Sequence, residues 1–235
     1  MNFGNRLQGV FFAPKPTFKA IAERPVWVDA LIVILIVYAL FSYLSAPIGY
    51  KDTLALYKDN VKLQERMGKE RFDNMIKGME NPTTGMILGR NVGMGLGLLV
   101  IGFLVSSLIL LIIGRMGSTE GNFVMIFAVL LHANFIDKLL GSAVKLALIL
   151  TRKSVIQTTT SLALLAPNAE LASPAFIVLS QFDFFQLWTY IVLGFGLAAV
   201  FKSSVKKGMI ISFSFWFLKS LVVVALGFFA SGLAG

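Results

Sequence analysis

Cysteine is absent from this 235-residue chain and histidine occurs once. The first absence excludes a disulfide framework and a thiolate metal site, and leaves the redox compartment unmarked by thiol usage. One imidazole and no thiol leave only carboxylates as further metal ligands, in the wrong compartment for a hydrolytic metal centre. Charge is also scarce, at 14% of residues, and acids are scarcer than bases, 12 against 21. No Lys/Arg-rich run of five or more is interleaved with aromatics, so nucleic acid is excluded as a partner. Anionic lipid headgroups account for the net charge of +9. The first 29 residues carry Arg6, Lys15, Lys19 and Arg24 but no early apolar run and no A-x-A-like cleavage site in the usual position. The first long apolar run therefore reads as a retained span, not a signal peptide.

What the chain has in quantity is apolar surface: 57% hydrophobic residues and 21 Phe, too much for a soluble domain of this length. It is gathered into five stretches, Ala30–Tyr50, Asn91–Gly114, a third beginning at Gly121, Phe184–Phe201 and Gly208–Gly235. Four of them are 18 residues or longer, and the first two contain no ionisable side chain except tyrosine. A hydrocarbon core of about 30 Å takes about 20 helical residues. Because that core satisfies no backbone polar group from outside, hydropathy leads directly to a fold class. The expectation is an all-α, polytopic membrane bundle of five transmembrane helices, forming one membrane domain, with an amphipathic extramembrane helix between the first and second spans.

The order along the chain follows. Residues 1–29 read as an amphipathic interfacial segment, with a short piece before Pro14, a helix over Thr17–Glu23 at the membrane surface, and Trp27 as a belt residue. The spans are placed at 30–50, 85–114, 121–150, 184–201 and 208–233. Residues 51–84 form a helical hairpin in which Leu54, Tyr57, Val61, Phe72, Met75, Ile76 and Met79 recur at helical steps, with Glu65/Lys69 and Asp73/Lys77 as i,i+4 pairs and a kink near Gly68. Leu54, Tyr57, Val61, Phe72, Ile76 and Met79 are its candidate partner-docking face. Residues 151–183 form an interfacial loop containing Gln157-Thr158-Thr159-Thr160, Pro167-Asn168 and Ser173-Pro174, whose apolar pieces, Leu162–Leu165 and Ala175–Phe182, are too short to cross.

Two features inside the spans carry chemistry. Gly85, Gly89, Gly93 and Gly97 recur every four residues, a row that lets another helix approach closely, either from within the bundle or from a second copy in a homodimer. In the third span, Asn134, Lys138, Ser142 and Lys145 share a stripe with Asp137 beside it. A central charge costs about 3 kcal/mol on an insertion scale, so this span depends on its neighbours.

Two further stretches carry a family resemblance. Phe11-Phe12-Ala13-Pro14-Lys15-Pro16-Thr17-Phe18-Lys19-Ala20-Ile21, then Pro25 and Trp27, resembles the opening signature of the Yip domain family, the Ypt/Rab-interacting membrane proteins, in its prokaryotic branch. Asp183-Phe184-Phe185-Gln186-Leu187-Trp188, then Gly194, Gly196 and Lys202-Ser203-Ser204-Val205-Lys206-Lys207-Gly208, is similar to that family's fourth span and following loop. The resemblance implies five spans, a cytosolic N-terminus, roles in membrane organisation through protein partners and no shared catalytic chemistry. The longer polar N-terminal region and acidic Tyr-Gly motif of eukaryotic members are absent, which points to a prokaryotic plasma (inner) membrane and away from Rab binding.

An enzyme is not expected. Ser142 and His132 are the nearest nucleophile–base pair, but ten helical residues separate them by about 15 Å. Aspartyl chemistry needs two carboxylates, and Asp137 is the one acid well inside a span. No cofactor is implied. The reading is a non-enzymatic membrane scaffold or accessory subunit that organises the membrane or joins another membrane complex. The alternative is a transporter or channel for ions, small solutes or lipid along the Asn134–Lys145 stripe. On flanking charge, the N-terminal side carries eight Lys/Arg; the other side carries ten, of which six belong to the hairpin, leaving four. This sets the N-terminus inside and the C-terminus outside.

Overall fold

The computed structural model describes residues 1–58, 61–156, 160–166 and 173–234; Gln157-Thr158-Thr159 and Pro167-Asn168 lie outside the described residues. The described chain is helical, and the single bridge between extended residues pairs Ser161 with Asp183. The described residues form ten α-helices. Helices α1 (Phe3–Phe12) and α2 (Pro14–Glu23) precede the first span, α3 (Val28–Tyr57). The hairpin holds α4 (Val61–Met67) and α5 (Lys69–Glu80), and the second and third spans are α6 (Thr84–Arg115) and α7 (Phe123–Arg152). After a 3₁₀ turn at Leu162–Leu165 come α8 (Pro174–Ser180), the fourth span α9 (Phe184–Val200) and the fifth, α10 (Val205–Ala234). Four of these helices are long and apolar enough to cross a membrane, and α9 is a shorter apolar helix of 17 residues. The molecule is an all-α polytopic membrane bundle.

The helix limits have local causes. Pro14 and Pro16 lack the N–H groups that α1 would need to continue, but Pro14 suits the first position of a new helix, so the chain turns at Ala13. Asn2, Thr83, Asn122, Ser173 and Asp183 each accept a hydrogen bond from the backbone N–H three residues on, as N-caps do. At the hairpin Gly68 adopts φ 78°, which ends α4 and starts α5; Glu65 and Lys69 flank that break and no longer lie on one helical face. Helix α3 does not stop at Tyr50. It runs on to Tyr57 through Pro47, so the first limb of the hairpin is the extension of the first span.

Helix α7 is central. In its most apolar window 61% of residues are buried, against 17% for α6 and 11% for α3 and α10, so the outer spans present most of their apolar surface outward, as helices in lipid do. Helices α1 and α2 turn their apolar faces onto α7 and α9, with Val10, Phe18 and Ile21 fully buried, so the N-terminal segment is a packed layer of the bundle.

Lipid tails are as apolar as leucine, so spans associate through close packing. Here that packing uses Gly194, Gly196 and Gly208. A Cβ at Gly208 would strike the Gly194 carbonyl and the Ala198 backbone, and one at Gly196 would strike Val129 and Phe18. The Gly85/Gly89/Gly93/Gly97 row does not pack a helix within the bundle. All four are exposed, nothing lies within 4 Å of a Cβ built at Gly89 or Gly97, and Gly95 instead receives Tyr38. A wide π-turn over Ile87–Met94 runs through the row, and all four glycines stay on the outward side of the span, away from the other helices.

Candidate functional site

Two polar clusters sit on α7, one in each half. The half nearer Phe123 is sealed: Ile126 to Ala133 are all buried, covered by α1, α2 and α9. Into this layer α1 inserts Arg6, itself 6% exposed. Its Nε donates to His132 Nε2 at 3.1 Å, one terminal nitrogen donates to the Met1 carbonyl at 2.8 Å, and the other pairs with Asp29 at the start of α3. A guanidinium only donates, so His132 Nε2 must accept; the ring proton then sits on Nδ1, 2.8 Å from the Ala128 carbonyl it bonds. The imidazole is neutral and its two nitrogens are both engaged, which ties the N-terminal helices to the first and third spans.

The other half of α7 is open. A π-turn over Ile136–Gly141 widens the helix and makes Asp137 the hub of the polar residues. Its Oδ2 pairs with Lys138 Nζ at 2.7 Å and its Oδ1 with Lys145 Nζ at 3.3 Å. Lys145 also reaches Asp183, at 3.3 Å, and Asp183 caps α9 by accepting from Gln186 N at 3.1 Å. The cluster thereby joins the third and fourth spans. Straight helical spacing puts Asp137 beside the stripe; the π-turn moves it to the centre. Asn134 Nδ2 donates to the Leu130 carbonyl at 2.8 Å and lines a cavity, whereas Ser142 makes only a long 3.5 Å contact with the Asp137 carbonyl.

Cavities flank the cluster. One, of about 270 Å³, lies among α6, α7, α9 and α10, lined by Gly102, Ser106, Asn134, Asp137, Lys138, Thr189 and Lys219 among others. A second, of about 450 Å³, is bordered by Phe41, Ser45, Lys145, Val155 and Asp183. Beyond it Asp52, on the α3 extension, accepts from Ser154 Oγ at 2.9 Å and Val155 N at 2.6 Å, locking the end of the first span to the loop after the third.

The hairpin face divides. Phe72 is buried and α5 packs on the α3 extension, so Phe72 is not available for docking; Leu54, Ile76 and Met79 are half-buried. Tyr57 and Val61, 38% and 62% exposed, remain outward. Lys58–Glu80 at 3.8 Å closes the hairpin, and Tyr50 Oη donates to Asn91 Oδ1 at 2.7 Å at its neck.

Sequence reasoning missed Arg6 as the partner of both His132 and Asp29, and Asp183 as a second acid of the cluster. Asp183 carried a usable signal, the cap-and-glutamine spacing of Asp183 and Gln186 before an apolar run. Arg6 and His132 are 126 positions apart, and nothing in local spacing joins them.

An all-α polytopic membrane bundle, with four to five apolar helices able to span and a packed N-terminal helix pair, defines the class of this protein. The Yip1 domain model matches residues 9–227, nearly the whole chain, and the protein belongs to the Yip1 family. None of the curated proteins and none of the solved structures matches the chain.

Proposed function

We propose that this protein is a non-enzymatic membrane scaffold or accessory subunit, which joins another membrane protein or complex in a prokaryotic plasma membrane. One observation carries the reading: the ionisable groups of α7 close on one another through Asp137, while its other half is filled by buried side chains. Such a cluster fixes helices against each other and asks for no passing substrate. Membership of a family not known for enzymatic activity is consistent with it. The exposed Tyr57 and Val61 and the outer faces of α3, α6 and α10 supply surface for a partner. Purification from native membranes in mild detergent should yield a second membrane protein in fixed stoichiometry; a protein always recovered alone and fully active sinks the reading.

A transport path is the second reading, favoured by cavities on both sides of the Asp137–Lys145–Asp183 cluster. It requires solute flux in vesicles containing the purified protein alone, abolished by Asp137→Asn with Lys138→Gln. The proposed orientation, N-terminus inside and C-terminus outside, is tested in this cysteine-free chain by Ser173→Cys and Ser204→Cys. An impermeant maleimide applied to intact cells should label the first and spare the second.

A further inference from the structure

At the end of the bundle away from the Asp137 cluster, a groove combines three lysines with an apolar wall. It lies between α2 and the corner where α9 passes into α10, has a volume of about 490 Å³, and is bordered by Lys15, Lys19, Lys202, Ser203, Phe195 and Ala199 among others. The three lysines are exposed, whereas Phe195 and Ala199 are half-buried. Lys15 and Lys19 stand one turn apart on α2, a like-charged spacing that costs a helix stability. Lys202 pairs with Glu120 at 3.1 Å, where both side chains reach solvent. No other carboxylate, Glu23 included, comes within ion-pair distance of the three amines among the described residues. Three amines therefore face one carboxylate. Ser203 Oγ is buried without a hydrogen-bond partner, the one such side-chain atom among the described residues. Buried polar atoms are ordinarily paired, and an orphan hydroxyl beside three amines suits an oxyanion.

From these groups we infer that the groove binds one anionic phospholipid, its phosphate among Lys15, Lys19, Lys202 and Ser203 and the upper part of an acyl chain against Phe195 and Ala199. The inference goes beyond the scaffold reading and does not depend on it.

Depth selects a lipid. Helix α6 ends at Arg115, α7 begins at Phe123, α9 ends at Val200 and α10 begins at Val205. These termini meet: the Phe201 ring lies against Gly114 and Gly121, and Ser118 Oγ donates to the Phe201 carbonyl at 3.0 Å. Four span ends gathered together mark an edge of the hydrocarbon core, since lipid-exposed turns do not occur within it. Lys202 and Ser203 lie in the turn between two spans, at the level of the headgroups. Phe195 lies five residues before the end of α9, about 8 Å further in at 1.5 Å per residue, on the acyl side of that level. A free anion would meet the amines and leave this wall unused, and so would a carboxylate of a partner protein at headgroup level. A phospholipid carries the phosphate and the chain in one molecule. The groove is also preformed. Phe18 and Ile21 are fully buried and Gly196 admits Phe18 closely, so α2 presents Lys15 and Lys19 from a fixed backbone.

The test uses the full chain purified in mild detergent with an equimolar mixture of phosphatidylglycerol and phosphatidylcholine of the same acyl chains, and counts retained lipid by native mass spectrometry. The parent protein should retain one phosphatidylglycerol in about tenfold preference to phosphatidylcholine. Joint Lys15→Gln, Lys19→Gln and Lys202→Gln, all at exposed side chains, should abolish the preference. Joint Lys69→Gln, Arg71→Gln and Lys77→Gln, which remove the same charge from the hairpin, should leave it unchanged. Excess glycerol phosphate should not displace the lipid, because it lacks the chain. Equal retention of the two lipids by the parent overturns the proposal, as does an equal loss of preference in both triple variants. Displacement by glycerol phosphate would assign the groove to a soluble phosphate and equally overturn it. Carbodiimide coupling of Lys15 or Lys19 to a protein carboxylate in native membranes would assign it to an acidic partner, with the same consequence. Recovery of a stoichiometric partner in detergent is a separate measurement, so the scaffold reading stands or falls on its own.

Discussion

The two halves of α7 treat charge in opposite ways. In the half nearer Phe123 a single cation, Arg6, enters from another helix and is enclosed by His132, Asp29 and a carbonyl inside a continuous buried layer. In the other half the helix supplies its own ions, Asp137, Lys138 and Lys145, and cavities lie on either side of them. The difference is one of who provides the counter-ion. A buried charge brought in by a separate helix makes that helix indispensable, whereas ions carried within nine residues of one helix stay neighbours even when packing loosens.

The comparison is broken most severely at Arg6. Arg6→Ala strands a partly exposed Asp29 and removes the donor to His132, and about 3 kcal/mol of stability should be lost, less than for a fully buried pair because Asp29 reaches solvent. Thermal unfolding in detergent measures this, and N-terminal helices that become sensitive to protease below the main transition would locate the loss. Asp137→Asn is expected to cost somewhat less, about 2 kcal/mol, since Lys145 keeps Asp183 but Lys138 loses its partner. Joint Asp137→Asn and Lys138→Gln removes both charges, and stability should recover to within about 1 kcal/mol of the parent. A double variant less stable than Asp137→Asn alone would show that the open half is as tightly determined as the sealed one. Gly89→Leu should change stability least, within about 0.5 kcal/mol, because no atom lies near its Cβ. Gly208→Leu, with backbone in the way, serves as its destabilising control. Loss of oligomer in Gly89→Leu at unchanged monomer stability would identify that row as a surface between copies.

How much of the site was legible follows from range. Asp137, Lys138 and Lys145 lie within nine positions on one span, and their conflict with hydrocarbon marks them at once. Asp183 and Lys219 are visible as isolated ions bordering or inside apolar runs, but their relation to Asp137 is not. The glycine row shows the opposite failure: its spacing is regular, yet the whole row faces away from the bundle. The closely packed glycines, Gly194, Gly196 and Gly208, have no regular spacing, since two helices joined by a tight turn contribute them.

By itself the sequence determined the membrane as solvent, the helical class, the order of the apolar helices, and the resemblance that the Yip1 domain match bears out. Those follow from backbone hydrogen bonding in hydrocarbon, which leaves a long apolar segment little choice but a helix. Only the tertiary structure decided which span stands at the centre, that Arg6 meets His132, and that Asp137 rather than the stripe beside it is the hub. The reason is that lipid-facing and protein-facing surfaces are both apolar. Hydropathy therefore shows that a helix is buried in something, and the shapes of Gly194, Gly196 and Gly208, with the pairing of a few charges, settle against what.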